Sequence, residues 1–153
     1  MAPVDTHNPQ EYLAYAATSD SLRSDREEAI LTEFLDEENE EFHRHDGRNG
    51  KPSKGLDNIV YHEVELSHAG TRRHADAVVF YRGTEFYLTE VKEKLDDELI
   101  GQLLVRNHLF RKTDPLYRFS PKKLAVVADA DEELVRLVSD RYGIDVRTVD
   151  YGV

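Results

Sequence analysis

Apolar residues in the first third of the chain recur at helical spacing. Ile30, Leu31, Phe34 and Leu35 form one stripe. Ser24-Asp25-Arg26-Glu27, just ahead of them, is a capping box, with a hydroxyl at the N-cap and a Glu three residues on. The spacing predicts a helix from Ser24 to near Phe42. Upstream, Glu11 to Ala17 predicts a short helix or an arm within residues 1–23. Residues 43–57 are rich in Gly, Pro, Lys and His, and predict a loop.

The middle of the chain changes period. Residues 59–67 (IVYHEVELS) alternate loosely between apolar and polar, as a strand does. Ala69-Gly70-Thr71 reads as a turn. Ala75 to Tyr81 is nearly all apolar, the pattern of a buried central strand. Arg82-Gly83-Thr84 makes a tight hairpin turn into the strand Glu85 to Lys92. Asp96 or Asp97 then caps a helix reaching about Arg111, with Leu99, Leu103, Leu104 and Phe110 at its apolar positions. Thr113-Asp114-Pro115 stops it. Leu124 to Ala128 is a short buried strand. Asp131 to Tyr142 is a helix with Gly143 as C-cap, and Ile144 to Val149 is the last strand. The order α-β-β-β-α-β-α-β predicts an α/β fold, a central mixed sheet of four or five strands flanked by helices. The helical crossover into 124–128 favours parallel pairing there. One domain, residues 24–153, follows the N-terminal arm.

Composition narrows the function. The 153 residues hold no cysteine, which excludes disulfides, thiolate metal sites and cysteine nucleophiles. No apolar run is long enough to cross a membrane, and no signal peptide is visible, so a cytoplasmic location is expected. The net charge is −11, with 13 Arg and 7 Lys against 15 Asp and 16 Glu. Such a chain repels nucleic acid at long range. An acid-rich, Lys-poor, Cys-free composition resembles halophilic proteins, for which molar salt cuts the Debye length to about 3 Å and leaves local contacts to decide binding. An ordinary acidic protein in dilute cytoplasm fits the same numbers.

The chemistry concentrates on two strands. Asp76 lies in the most apolar strand, where an isolated carboxylate is costly and needs a partner or a metal. Glu90 and Lys92 lie two apart on the next strand and share one sheet face. Pairing about the 82–84 turn sets residue 80 opposite 86 and Asp76 opposite Glu90. Two facing carboxylates repel unless a cation sits between them, and hard oxygen ligands suit Mg2+ or Mn2+. The carbonyl of Val91 could complete the shell. Lys92 could orient a metal-activated water or steady charge growing on phosphorus. The plainer reading is a salt-bridge cluster at a sheet edge.

Arg73-His74-Ala75-Asp76, then Glu90-Val91-Lys92, then Gly101-Gln102-Leu103-Leu104, resembles the PD-(D/E)xK nuclease superfamily. Its RecB-like members are nearest, above all the C-terminal catalytic domain of the NucS mismatch endonucleases. The resemblance covers roughly residues 24–149. It implies a restriction-endonuclease-like αβββαβ core and a metal-dependent nuclease cutting DNA. In it Asp76 and Glu90 would bind metal, Lys92 would assist the nucleophile and Gln102 would support the site. Two positions depart from the family. Arg106 stands where it often has a Tyr, and residues 1–23 are too short to be the mismatch enzymes' DNA-binding domain, so mismatch specificity does not carry over.

The family often adds a Glu from an upstream helix. At 100° per residue Glu27 falls in the middle of the Ile30/Leu31/Phe34/Leu35 stripe, and Glu28 falls outside it. Glu27 is therefore a catalytic candidate, with pure capping as the equal alternative and Glu28 as the backup. Arg72, Arg73, Lys94 and Arg106 are candidates for nucleic-acid contact, although Arg on an acidic protein mostly pairs with acids. His43 and His45 with Asp46 form a weaker metal candidate. The expected partners are DNA and either a second copy, giving a homodimer, or a protein that supplies DNA specificity. The rival functional classes are a non-catalytic DNA- or partner-binding module on the same fold and a small acidic scaffold.

Overall fold

The computed structural model describes residues 9–17, 24–38, 41–45, 58–81, 85–113, 116 and 119–150. The 82–84 turn, the 46–57 segment with Asp46, and Asp114 and Pro115 lie outside them. The elements are α1 (Pro9–Ala16), α2 (Asp25–Glu37), β1 (His43–His45), β2 (Ile59–His68), β3 (Thr71–Tyr81), β4 (Glu85–Lys94), α3 (Asp97–Lys112), β5 (Lys122–Asp129), α4 (Glu132–Tyr142) and β6 (Ile144–Thr148). The fold is α/β, a curled mixed sheet of six strands in the order β1-β2-β3-β4-β5-β6, flanked by helices. The pairs β2–β3 and β3–β4 are antiparallel, and β1–β2, β4–β5 and β5–β6 are parallel. Among the described residues no helix is long and apolar enough to cross a membrane.

Strand alternation splits the core in two. Leu88, Val78, Phe80, Ala125 and Val127 face α3 and α4, which contribute Leu99, Leu103, Phe110 and Val138. On the other face Val79, Ala77, Val91, Leu124 and Val126 meet the α2 stripe of Ile30, Leu31, Phe34 and Leu35. The crossovers through α3 and α4 lie between parallel strands, as the pattern predicts.

Local signals set the joints. Ser24 and Glu27 form the reciprocal capping box on α2. Asp96, not Asp97, is the N-cap of α3, accepting from the Leu99 N–H. Gly143 adopts φ +63° and closes α4, donating to Ser139 and Val138 carbonyls. Ala69 and Gly70 both have positive φ, the requirement of a two-residue type I′ hairpin.

Two expectations need correction. The sheet has six strands rather than four or five, because His43–His45, placed by composition in a loop, pairs with Ile59–Tyr61. Three residues are too few to show alternation, and the strand is seen only through its pairing with β2. Upstream, the short-helix alternative for Glu11 to Ala17 holds, with the helix running from Pro9 to Ala16. Finally, α2 ends at Glu37, not near Phe42, and Glu38 is already extended. Asp36, Glu37, Glu38, Glu40 and Glu41 would stack like charges against the negative end of the helix dipole.

Candidate active site

The ladder between β3 and β4 runs from Tyr81↔Glu85 to Ala77↔Thr89 and stops there. The next pair in that register is Asp76 with Glu90, as the turn-based pairing predicts. Here side chains replace the main-chain bonds. The Glu90 carboxylate accepts the Asp76 N–H at 2.7 Å, and the Asp76 carboxylate accepts the Val91 N–H at 2.8 Å. Below this point β3 stays paired with β2 down to Thr71 and has no ladder to β4. The two strands part at the two acids.

The β2–β3 register adds a third acid. His62 pairs with Ala77 and Val64 with Ala75, so Glu63 stands opposite Asp76. Glu63, Asp76 and Glu90 thus occupy one row across three strands. Glu63 is 2% exposed and has φ +49°. A left-handed non-glycine residue costs about 1–3 kcal/mol and persists only where its surroundings impose it. The sequence reading missed Glu63. The signal was present, because a two-residue turn at Ala69-Gly70 fixes 63 opposite 76.

Glu90 is also 2% exposed. Burial is the main reason its carboxyl is held well above the ordinary range, and the negative Asp76 pushes the same way. The Asp76 N–H and Arg106 pull against them, and Glu63 adds to the rise. Arg106 Nε lies 3.1 Å from Glu90 Oε1 and also donates to the His74 carbonyl at 3.2 Å. Arg106, a candidate for nucleic-acid contact on the sequence, is thus paired with an acid of the site. Its side chain is 17% exposed and is spent on the buried Glu90. A buried carboxylate draws the nearest cation inward, and α3 supplies one.

Lys92 follows Glu90 on the α3 face. Its Nζ meets Asp96 at 2.8 Å and Glu98 at 3.0 Å. The hydrogen bond to Asp96 is the chief cause that raises the Lys92 pKa, so the amine stays protonated. Burial would raise the Asp96 pKa, but the bonds from Lys92 and the Leu99 N–H carry it below the ordinary value. Gln102 Nε2 donates to Glu98 at 3.3 Å. Residues 98, 102 and 106 are one turn apart on α3 and share one helix face. Gln102 reaches the site through Glu98 and Lys92, whereas Arg106 reaches it directly.

The remaining candidates fall elsewhere. Glu27 bonds back to the Ser24 N–H at 3.2 Å, so its carboxylate is used by the cap of a helix on the opposite sheet face from Glu90. Glu28 binds Arg44 at 2.6 Å, and Arg44 also donates to His62. Arg72 is exposed and pairs with Glu65 at 2.8 Å, and exposed Arg73 donates to the Arg72 carbonyl. Lys94 is exposed at the end of β4, on the same face as Lys92 by alternation. His43 is exposed in β1. Among the described residues no group of three His, Cys, Asp or Glu side chains is arranged to hold a metal on its own. The chain matches no protein-family model, no curated protein and no solved structure.

Proposed function

We propose that the chain is a divalent-metal-dependent phosphodiesterase that acts on DNA, built on a restriction-endonuclease-like fold. One observation carries the reading. Asp76 and Glu90 meet where β3 parts from β4, with Lys92 two residues on along the same face.

The donor set fits Mg2+ or Mn2+. Magnesium takes one or two protein carboxylates and fills its remaining positions with water and phosphate oxygens. The Val91 N–H bonds to Asp76, and in a strand the carbonyl of the same residue faces the same edge, so the Val91 oxygen borders the same gap. Two neighbouring carboxylates, one raising the pKa of the other, are the electrostatic situation that a cation relieves. Such an ion, when bound, polarises a phosphate and lowers the pKa of a coordinated water.

The chain's own groups divide the work. Asp76 and Glu90 bind the cation. Arg106 partly neutralises Glu90 and fixes its rotamer. Lys92 is kept protonated by Asp96 and Glu98 and carries positive charge beside the reacting centre, where it can position a water or stabilise charge on phosphorus. DNA as the substrate rests on the motif's resemblance to PD-(D/E)xK nucleases.

One observation favours a second reading. Lys92 already has two carboxylate partners, which suits a static ion cluster in a non-catalytic binding module. The test is cleavage of single-stranded, duplex and branched DNA with Mn2+ at low and high salt. The nuclease reading expects cutting of at least one substrate, and Lys92→Ala to slow it by about 100-fold or more with fold and metal affinity kept. If every substrate survives while metal binding is intact, the binding module is the better account.

A further inference from the structure

The sheet has two edges, and they differ. At one, β1 is three residues long. At the other, β6 is a five-residue strand, Ile144-Asp145-Val146-Arg147-Thr148, with no strand beyond it among the described residues. The Val149 N–H donates to the Val127 carbonyl at 2.8 Å, and Val127 pairs with Thr148. Main-chain groups alternate in direction along a strand. Residues 145, 147 and 149 therefore turn their N–H and C=O toward β5, and Ile144, Val146 and Thr148 turn theirs outward.

An open edge is a template for another strand, and proteins usually block it with like charges or Pro. The charges here do the reverse. Asp145 and Arg147 flank Val146 with opposite signs, and both side chains are 55% exposed. Set antiparallel against itself about Val146, the strand places Asp145 of each copy opposite Arg147 of the other. Ile144 then faces Thr148, and Val146 faces Val146. The outward main-chain groups belong to residues 144, 146 and 148, so those pairs are the hydrogen-bonded ones, making about six bonds. The Asp145–Arg147 pairs fall at the non-hydrogen-bonded positions, where side chains approach most closely. Arg147 already lies 4.0 Å from Asp145 and 3.6 Å from Glu38 of its own chain, so the cross-strand pairs would join these into one cluster of alternating charge.

The geometry points to a homodimer in which β6 of two copies pair antiparallel about a two-fold axis through Val146, joining two six-stranded sheets into one. The α4 helices pack on β6 and carry the exposed Leu137 and Tyr142, so they would flank the seam. The inference is independent of the proposed chemistry.

The test is molar mass in solution by light scattering or sedimentation, on the full chain at 0.15 M salt and up to roughly 100 µM, a range that captures modest affinities. Wild type is expected at twice 17.6 kDa. Val146→Pro removes an outward N–H that β5 does not use, so it should weaken dimerisation at least tenfold and leave the melting temperature within a few degrees. If that variant does not fold, Asp145→Arg carries the test, since it sets like charges opposite each other and should give monomer. Asp145→Arg with Arg147→Asp restores complementarity and should restore the dimer. A wild-type mass of one chain throughout, or a dimer that withstands both Val146→Pro and Asp145→Arg, overturns the proposal.

Discussion

Between Ala77 and Tyr81, β3 lies along β4 in an unbroken ladder and its side chains alternate cleanly between two apolar cores. One residue further toward the N-terminus the same strands are held by carboxylates. Glu90 accepts the Asp76 N–H, Asp76 accepts the Val91 N–H, and the ladder goes no further. The first half is stabilised by burial. The second half concentrates charge where burial makes charge expensive, with Glu90 and Glu63 each 2% exposed. Sequences accept such local conflicts chiefly at functional sites.

The comparison can be broken most strongly in the regular half. Leu88 is fully buried, so Leu88→Ala should cost about 2–5 kcal/mol in denaturant unfolding. It should leave metal affinity unchanged in the surviving folded protein. Asp76→Asn should do the opposite, keeping stability near wild type while losing metal, because Asn can still accept the Val91 N–H. If both variants lost metal binding equally, the two halves would not be functionally distinct.

Arg106→Ala comes next. Removing one partner of a buried pair typically costs about 3 kcal/mol. Glu90 can take up a proton, so the loss should be larger at pH 8 than at pH 5. A loss independent of pH would mean that Arg106 acts through packing rather than charge.

The smallest effect is a slope. Glu90 holds its proton in the folded chain at pH values where the unfolded chain has lost it, so the unfolded state binds fewer protons there. Wild-type stability relative to Glu90→Gln, measured with chelator present, should therefore fall as pH rises from the ordinary value of 4.5 toward the raised folded value. The slope can be at most about 1.4 kcal/mol per pH unit. A flat or rising difference would contradict the burial of an acid that prefers to be neutral.

Much of this was legible in the sequence, for identifiable reasons. The 82–84 turn and period-two alternation set Asp76 opposite Glu90 and put Lys92 on the Glu90 face. Capping signals placed α2, α3 and α4. Two features escaped, and a third, Glu27, stayed undecided between two readings. Glu63 was hidden because its row depends on the Ala69-Gly70 turn and its backbone is left-handed, which alternation does not encode. Arg106 read as a surface cation because the helical pattern gives a face but not the buried acid that recruits it. Glu27 fell on the apolar stripe, yet its carboxylate closes the capping box. Side-chain capping and facing inward share one sequence signature, and only coordinates separate them.

The central claim is that Asp76 and Glu90 together hold a divalent cation. Its most direct test is a crystal of the full chain soaked with Mn2+ and measured for anomalous scattering at a manganese-sensitive wavelength. The account predicts one strong peak within coordination distance of both the Asp76 and the Glu90 carboxylates, absent from crystals of Asp76→Asn. A map with no peak there, with Asp76 still on the Val91 N–H and Glu90 still on Arg106, would contradict it.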